Sequence, residues 1–320
     1  MHVFLAGGSG AIGRRLTPQL VARGHQVTAT TTSQDKLDGL RALGAEPVVV
    51  DGLDAVGVGV GEAVARTEPD AVIHQMSALA GEPDLRRFDD WFARTNELRT
   101  AGTEILLAAA RATRVKRFVA QSYTGWPNSR EGGPVKTEED PLDSDPPPAQ
   151  AESLAAIRTL ERAVLEAPLE GIVLRYGSLY GPGASEGLVE LVRGRKLPIL
   201  GSGDGVWSWI HVDDAAAATV AAVERGGRGV YNIVDDEPVR VSDWLPYLAE
   251  EAGAKPPRRL PVWVGRMVAG EVAVSFMTRI RGSSNAKAKR ELGWEPSWRS
   301  WREGFRHGLT DEAARAPRAA

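Results

Sequence analysis

A chain of 320 residues, 42% of them hydrophobic, can bury a substantial core and is long enough for two lobes sharing an interface. A formal net charge of −3 and a pI near 6.0 leave no electrostatic footprint for nucleic acid or an anionic membrane as partner. The absence of cysteine excludes disulfides, thiolate metal sites and a cysteine nucleophile, and five scattered histidines suggest no metal centre.

In chain order, short apolar runs stand at 2–6, 26–31, 46–50, 71–75, 117–121, 171–176 and 230–234, with amphipathic helical patterns between them. β-Branched runs without polar alternation point to strands buried on both faces, hence to a doubly wound parallel α/β sheet of Rossmann type. The expected division is a dinucleotide-binding domain over 1–177, joined by the strand 230–234 and the helix 213–225. A smaller, mostly helical substrate lobe is expected over 178–209 and 235–310, with a disordered tail over 311–320. The segment 127–150, rich in proline, glycine and acid, reads either as a loop beside a site or as a mobile surface excursion. The chain opens on a strand without a charged, apolar leader. Its most apolar late stretch, "VWVGRMVAGEVAVSFM", contains Arg266 and Glu271 and falls short of a membrane span; a soluble, cytoplasmic protein is expected.

The stretch "LAGGSGAIGRRL" places Gly7, Gly10 and Gly13 between the first strand and a helical pattern. The first glycine permits a tight turn, the second lets backbone approach a pyrophosphate, and the third brings helix and strand together. The amides of Ala11, Ile12 and Gly13 then face the anion. A carboxylate selecting the NAD ribose is expected at the end of the second strand, where the chain instead reads Thr30, Thr31, Thr32, Ser33. A carboxylate there would repel a 2′-phosphate by roughly 4 kcal/mol at about 4 Å and an effective dielectric near 20. Its absence, with Arg14, the hydroxyls of Thr32 and Ser33, and Lys36 nearby, favours NADP(H), while NAD(H) stays open. Asp51 is placed to accept from the adenine amino group, with Gly52 and Leu53 beside it. Gln75, Met76 and Ser77 end the fourth strand and Tyr176 the sixth, and all are assigned to the cofactor's walls because ligands of open α/β sheets lie at these strand ends. His74 is read as a packed strand residue.

These residues resemble the extended short-chain dehydrogenases/reductases, the NAD-dependent epimerase/dehydratase group. Beyond the glycine loop, "TNELRTAGTEILLAAA", "RFVAQSYTGW", "LRYGSLYGPG", "WIHVDDAAAA", "VYNIVDDEPV" and "AKRELGWEP" follow in the family's order over about 1–305. The resemblance implies an active site between the two lobes and assigns roles to Asn96 and Thr103. It also implies a Tyr-x-x-x-Lys pair on one helix face. Anchoring "ESLAAIRTLERAVL" on Glu161 puts Ser153 at the Tyr position and Ile157 at the Lys position, with Arg158 one residue off. The pair is missing.

Catalytic candidates are therefore Ser122, Tyr123 and Thr124 at the end of the fifth strand, with the family's serine position falling on Ser122 or Tyr123 according to a one-residue register. Trp126, Trp207 and Trp209 would offer aromatic faces to a flat substrate, and Asp213 or Asp214 reads as a helix cap rather than as the acid partner of His211. Losing a general acid weakens hydride transfer by roughly 3–5 kcal/mol without forbidding it, because the nicotinamide supplies the difficult step. The expectation is NADPH-dependent reduction of an aromatic or polyketide-like ketone. A nucleotide-sugar epimerase or dehydratase and a catalytically silent NADP(H) sensor are the alternatives. The resemblance also implies a homodimer through the helices of 86–112 and 152–167, whose apolar faces could equally be buried within the monomer.

Overall fold

The computed structural model describes residues 1–54, 59–79 and 83–309. The expected tail, 311–320, lies outside these residues. Seven strands form one parallel sheet: β1 (His2–Ala6), β2 (Gln26–Thr31), β3 (Glu46–Val49), β4 (Ala71–His74), β5 (Arg117–Tyr123), β6 (Glu170–Tyr176) and β7 (Gly229–Ile233). Their spatial order is β7-β6-β5-β4-β1-β2-β3, so the direction of winding reverses between β1 and β4. The crevice that opens at such a reversal is where α/β sheets bind ligands.

Alternation along the strands divides the core in two. Val3, Leu5, Ile73, Val119, Ile172 and Leu174 point to one face, in the same core as α1 (Ala11–Ala22), Leu40 of α2 (Leu37–Ala42) and α8 (Val212–Arg225). Phe4, Val72, Phe118, Ala120 and Val173 point to the other, against α3 (Val60–Thr67), α5 (Thr103–Ala112) and α6 (Ala151–Glu166). The long pattern at 86–112 is not one α-helix. It runs from α4 (Phe88–Glu97) through a π turn (Leu98–Gly102) into α5. The apolar faces of α4 and α6 meet inside the chain, where Phe88 and Phe92 pack with Leu154 and Ile157.

The remaining helices, α7 (Glu186–Arg193), α9 (Val241–Glu251), α10 (Val262–Thr278) and α12 (Trp301–His307), gather around Trp209, Trp244, Trp301 and Phe305. The short helix α11 (Ala286–Leu292) instead packs on the Rossmann core through Ala288 and Leu292. Helix α10 breaks at Gly270, whose φ of +86° favours glycine. The half before the break exposes Trp263, Met267 and Val268, and the half after it buries Val272, Val274 and Met277. The segment 127–150 is fastened rather than loose: Asn128 Nδ2 donates to the Ser283 hydroxyl at 2.9 Å, and Val135–Lys136 pairs with Gly282–Ser283. Among the described residues, no helix is long and apolar enough to cross a membrane, and no cluster of potential metal ligands occurs.

Candidate active site

The glycine turn connects β1 to α1. The amide of Gly7 donates to Thr30 Oγ1 at 2.9 Å and that of Gly8 to the Thr30 carbonyl at 2.9 Å, tying the turn to β2. Gly7 has φ +97°, and a Cβ there would lie 2.6 Å from the backbone of Gln75. A Cβ at Gly13 would lie 2.5 Å from the carbonyls of Gly7 and Gly8, whereas one at Gly10 would meet only the Gly7 oxygen at 3.4 Å. Gly7 and Gly13 are thus required by packing, and Gly10 leaves an exposed surface open to a ligand. Helix α1 has no side-chain cap and no acid in its first turn, so its leading amides and the positive end of its dipole face that surface. This arrangement fits a pyrophosphate, and Gly10, Ala11 and Gly13 would hold it. The side chain of Ile12 belongs to the core, leaving only its amide for this purpose.

Beside the turn lies a cavity of about 930 Å³, lined by Ser9, Arg14, Arg15, Asp35, Lys36, Gly183 and Glu186 among others. It brings together Arg14 and Lys36, as the sequence suggested, but Asp35 also faces it. The Ser33 hydroxyl donates to Asp35, so it is engaged by a carboxylate rather than held in reserve for a phosphate. Thr32 is exposed at the end of β2. Asp51 is half exposed, its Oδ1 and Oδ2 both accept from Arg94 Nη2, at 2.9 and 2.8 Å, and Oδ1 also accepts the Leu53 amide. Gly52 is packed so closely on Met76 that a Cβ would stand 2.3 Å from its Sδ. Ser77 is exposed beyond β4.

Tyr176 requires a correction. Its ring is buried in the core, its hydroxyl shared with Gln75 at 2.7 Å and Thr219 at 2.6 Å, and burial pushes its pKa up to about 12. It braces Gln75 from behind and offers no wall to a cofactor. His74 is a packed strand residue: its Nδ1 accepts the Met76 amide and its Nε2 meets the Leu98 carbonyl at 3.1 Å.

On β5 alternation settles the register. Ser122 turns toward α6 and donates to Glu161 at 2.8 Å. Glu161 is itself buried and bidentate to Arg175 of β6, at 2.7 and 2.6 Å, so this hydroxyl is a strut between strand and helix. Thr124 is likewise committed, its buried hydroxyl shared between Asn128 and Ser283. Tyr123 turns toward the crevice, where its phenol lies 2.9 Å from the Ser178 hydroxyl. It shares a cavity of only about 10 Å³ with Trp126, Trp207, Phe276 and Ile280, and Trp126, expected to face a substrate, is buried against Phe88. Trp209, expected there as well, is only 1% exposed and packs with Trp244 and Phe305 in the substrate-lobe core.

The place of the missing pair is filled rather than vacant. Ser153 is fully buried: its hydroxyl donates to Asp89 at 2.6 Å and accepts from Asn96 Nδ2 at 3.0 Å. Ile157 is fully buried among Phe88, Phe92 and Trp126, and Arg158 points outward to the Asp143 carbonyl. Thr103 is not at the site; its hydroxyl bonds the Arg99 carbonyl within the helix. His211, not Asp213 or Asp214, caps α8: its Nδ1 accepts the Asp213 amide at 3.2 Å, while Asp214 accepts the amides of Ser297 and Trp298. The sequence reading missed Arg99, a guanidinium buried in the π turn, bonded to Asn96 Oδ1 at 3.2 Å and lying 5.2 Å from the centroid of the Phe92 ring. It lies in the π turn between α4 and α5, where α-helical spacing does not hold.

The profile of the NAD dependent epimerase/dehydratase family matches residues 3–234. The chain is 43% identical over 313 residues to a Streptomyces sp. protein named 3-diazoavenalumate denitrifying reductase, covering 95% of this chain and 99% of that one. It is 29% identical over 328 residues, 92% of each chain, to a Stigmatella aurantiaca 4-hydroxy-2-methyl-3-oxo-4-farnesyl-3,4-dihydroquinoline-1-oxide ketoreductase. Among solved structures, the UDP-glucose 4-epimerase of Thermus thermophilus in complex with NAD superposes with a TM-score of 0.73 at 25% identity, covering 97% of this chain and 98% of that one. The glycine cradle, the sheet reversal beside it and these matches together establish the chain as an enzyme of the NAD dependent epimerase/dehydratase family.

Proposed function

We propose that this enzyme is an NADPH-dependent reductase that delivers hydride to an apolar, aromatic acceptor, in the first instance a ketone. The observation that carries this reading is the state of Ser153 and Ile157. With one hydroxyl locked between Asp89 and Asn96 and the other position occupied by core hydrocarbon, α6 has no base to take a proton from a sugar alcohol. Epimerisation and dehydration would start from that proton, whereas ketone reduction needs only hydride and one proton on oxygen. We assign that proton to Tyr123, whose phenol lies 2.9 Å from the partly exposed Ser178 hydroxyl. Trp126, Trp207 and Phe276 close on a cavity of only about 10 Å³ at Tyr123, so an aromatic acceptor reaches the phenol only if these rings part. Both named relatives are reductases by name, one a ketoreductase.

The first relative's name supports a second acceptor, a diazo group. A diazonium carbon that accepts hydride and releases N₂ leaves no alkoxide, so it needs no proton donor at all. That suits a site without the Tyr and Lys of α6.

NADPH is favoured over NADH by the cations facing the cavity beside β2. Arg14 and Lys36 stand there against Asp35, while Glu186 accepts the Gly183 amide. A fluorescence titration should give NADPH binding at least about tenfold tighter than NADH, with Arg14→Ala removing the difference. Equal binding in the wild type would refute the preference. NADPH oxidation over a panel of aryl ketones and aryl diazo acids then tests the reaction, with Tyr123→Phe lowering the rate on ketones about 10²-fold or more and sparing the diazo acids. Turnover of a nucleotide sugar with no reduction of either panel would overturn the reductase reading.

A further inference from the structure

The cavity at Tyr123, about 10 Å³, offers no more room than a single water needs, and Trp126, Trp207, Phe276 and Ile280 close it. The chain around it is tied at four points. The Ser178 amide donates to the Ser208 carbonyl at 2.9 Å, and the Val206 amide to the Ile280 carbonyl at 2.9 Å. The Thr124 hydroxyl meets that of Ser283 at 2.5 Å, and the Gly282 amide donates to the Pro134 carbonyl at 2.9 Å. The two lobes are thus riveted beside the cavity, and room for an acceptor has to come from side chains.

Among those side chains Ile280 and Trp126 are buried, the latter with its ring 5.2 Å from that of Phe88. Trp207 and Phe276 are partly exposed and meet edge to face, their centroids 5.9 Å apart. Trp207 also stacks on Trp209, centroids 5.4 Å apart, and its Nε1 donates to the Phe276 carbonyl at 2.9 Å. That carbonyl lies in the last turn of α10, where helix carbonyls lack partners within the helix. Gly205 lets the chain approach it, since a Cβ there would stand 2.6 Å from the same oxygen. The hydrogen bond latches the two outer rings together at a partly exposed place, where water is a ready substitute for the indole.

We propose that Trp207 is the gate of the site: its indole swings away from the Phe276 carbonyl to admit an aromatic acceptor to Tyr123. This rests on the reading of Tyr123 as the group that meets the acceptor. Trp209 and Trp244, at 1% and 0% exposure, stay in place beneath it, so the motion is confined to the outer ring. A closed ground state lowers the apparent affinity for every acceptor in proportion to the fraction of molecules that stand open. In return the closed ring keeps bulk water from the reacting centre.

The test is ¹⁹F NMR of the full chain labelled with 5-fluorotryptophan, the resonances being assigned by their loss in Trp207→Phe, Trp244→Phe and Trp126→Phe. In the free protein the Trp207 resonance should show relaxation dispersion from microsecond-to-millisecond exchange, while that of the fully buried Trp244 shows none. Acetophenone added with NADP⁺, which has no hydride to give, should move the Trp207 resonance and leave Trp244 in place. Trp207→Phe keeps an aromatic wall without the latch and should bind acetophenone about fivefold more tightly, read at Trp126. A Trp207 resonance free of exchange and unmoved by saturating acetophenone would overturn the proposal, as would equal affinity in the two proteins. Gating in an enzyme that oxidises NADPH with no aryl ketone would leave the gate standing and defeat the ketone reading. Ketone turnover past a motionless Trp207 would do the reverse.

Discussion

Glu161 shows how one side chain can be legible in position and hidden in role. The family pattern locates it, and it then serves as the reference from which Ser153 and Ile157 are counted. Its partners lie on two strands: Arg175 makes the bidentate pair and Ser122 adds a third bond. Removing one member of a buried ion pair leaves the other uncompensated, at a cost of roughly 3–5 kcal/mol. Glu161→Gln should lower the urea midpoint accordingly with the slope unchanged. A loss below about 1 kcal/mol would mean that water reaches Arg175. Tyr123 and Ser122 make the complementary point. Both are legible as hydroxyls at a strand end, but which one faces the crevice depends on strand register, because neighbours on a strand point to opposite faces.

At the scale of elements, α6 and the segment from α4 to α5 decide what chemistry is open to the site. Reinstating the family's pair by Ser153→Tyr with Ile157→Lys should not create a proton relay. Ser153 has no free volume between Asp89 and Asn96, and Ile157 faces Phe88, Phe92 and Trp126, where an ammonium would find no counter-charge. The double variant should lose roughly 3 kcal/mol or more, read by thermal or urea unfolding, and gain no epimerase activity. A stable variant that epimerised a nucleotide sugar would show that only the two side chains had been missing. The π turn explains why the apolar pattern over 86–112 reads as helix throughout and does not show the break within it. Hydrophobic periodicity reports which stretch winds, but a local change from i→i−4 to i→i−5 bonding leaves no signature in the apolar residues.

Across the whole molecule, burial of His74 at the centre of the sheet links stability to pH. Its pKa falls from the ordinary 6.5 to about 4, because desolvation disfavours the charged ring. In the unfolded chain the ring protonates below about 6.5, whereas in the folded chain it stays neutral down to about 4. Stability from this residue is therefore complete above pH 6.5 and lost as pH falls toward 4, by about 3 kcal/mol in all. Urea unfolding of the wild type at pH values of about 7, 5.5 and 4.5 should follow that slope. His74→Gln, which keeps a donor for the Leu98 carbonyl, should flatten it over the same window. A parallel decline in both proteins would assign the acid sensitivity to other groups.

The sequence by itself determined the winding of the sheet, the glycine turn and the presence of Ser153 and Ile157 where the family resemblance implies a Tyr and a Lys. Each of these is written in residues close together along the chain: apolar runs with their helical spacers, four glycines in seven positions, two residues counted from one glutamate. The tertiary structure alone decided that Trp209 and Tyr176 are core, that Asp35 turns into the cavity of Arg14 and Lys36, and that Arg99 is buried over the Phe92 ring. Those outcomes depend on which face of an element is covered and on what packs against it from distant parts of the chain. Burial and pairing are properties of the assembled layers, and a linear pattern carries the first kind of information but not the second.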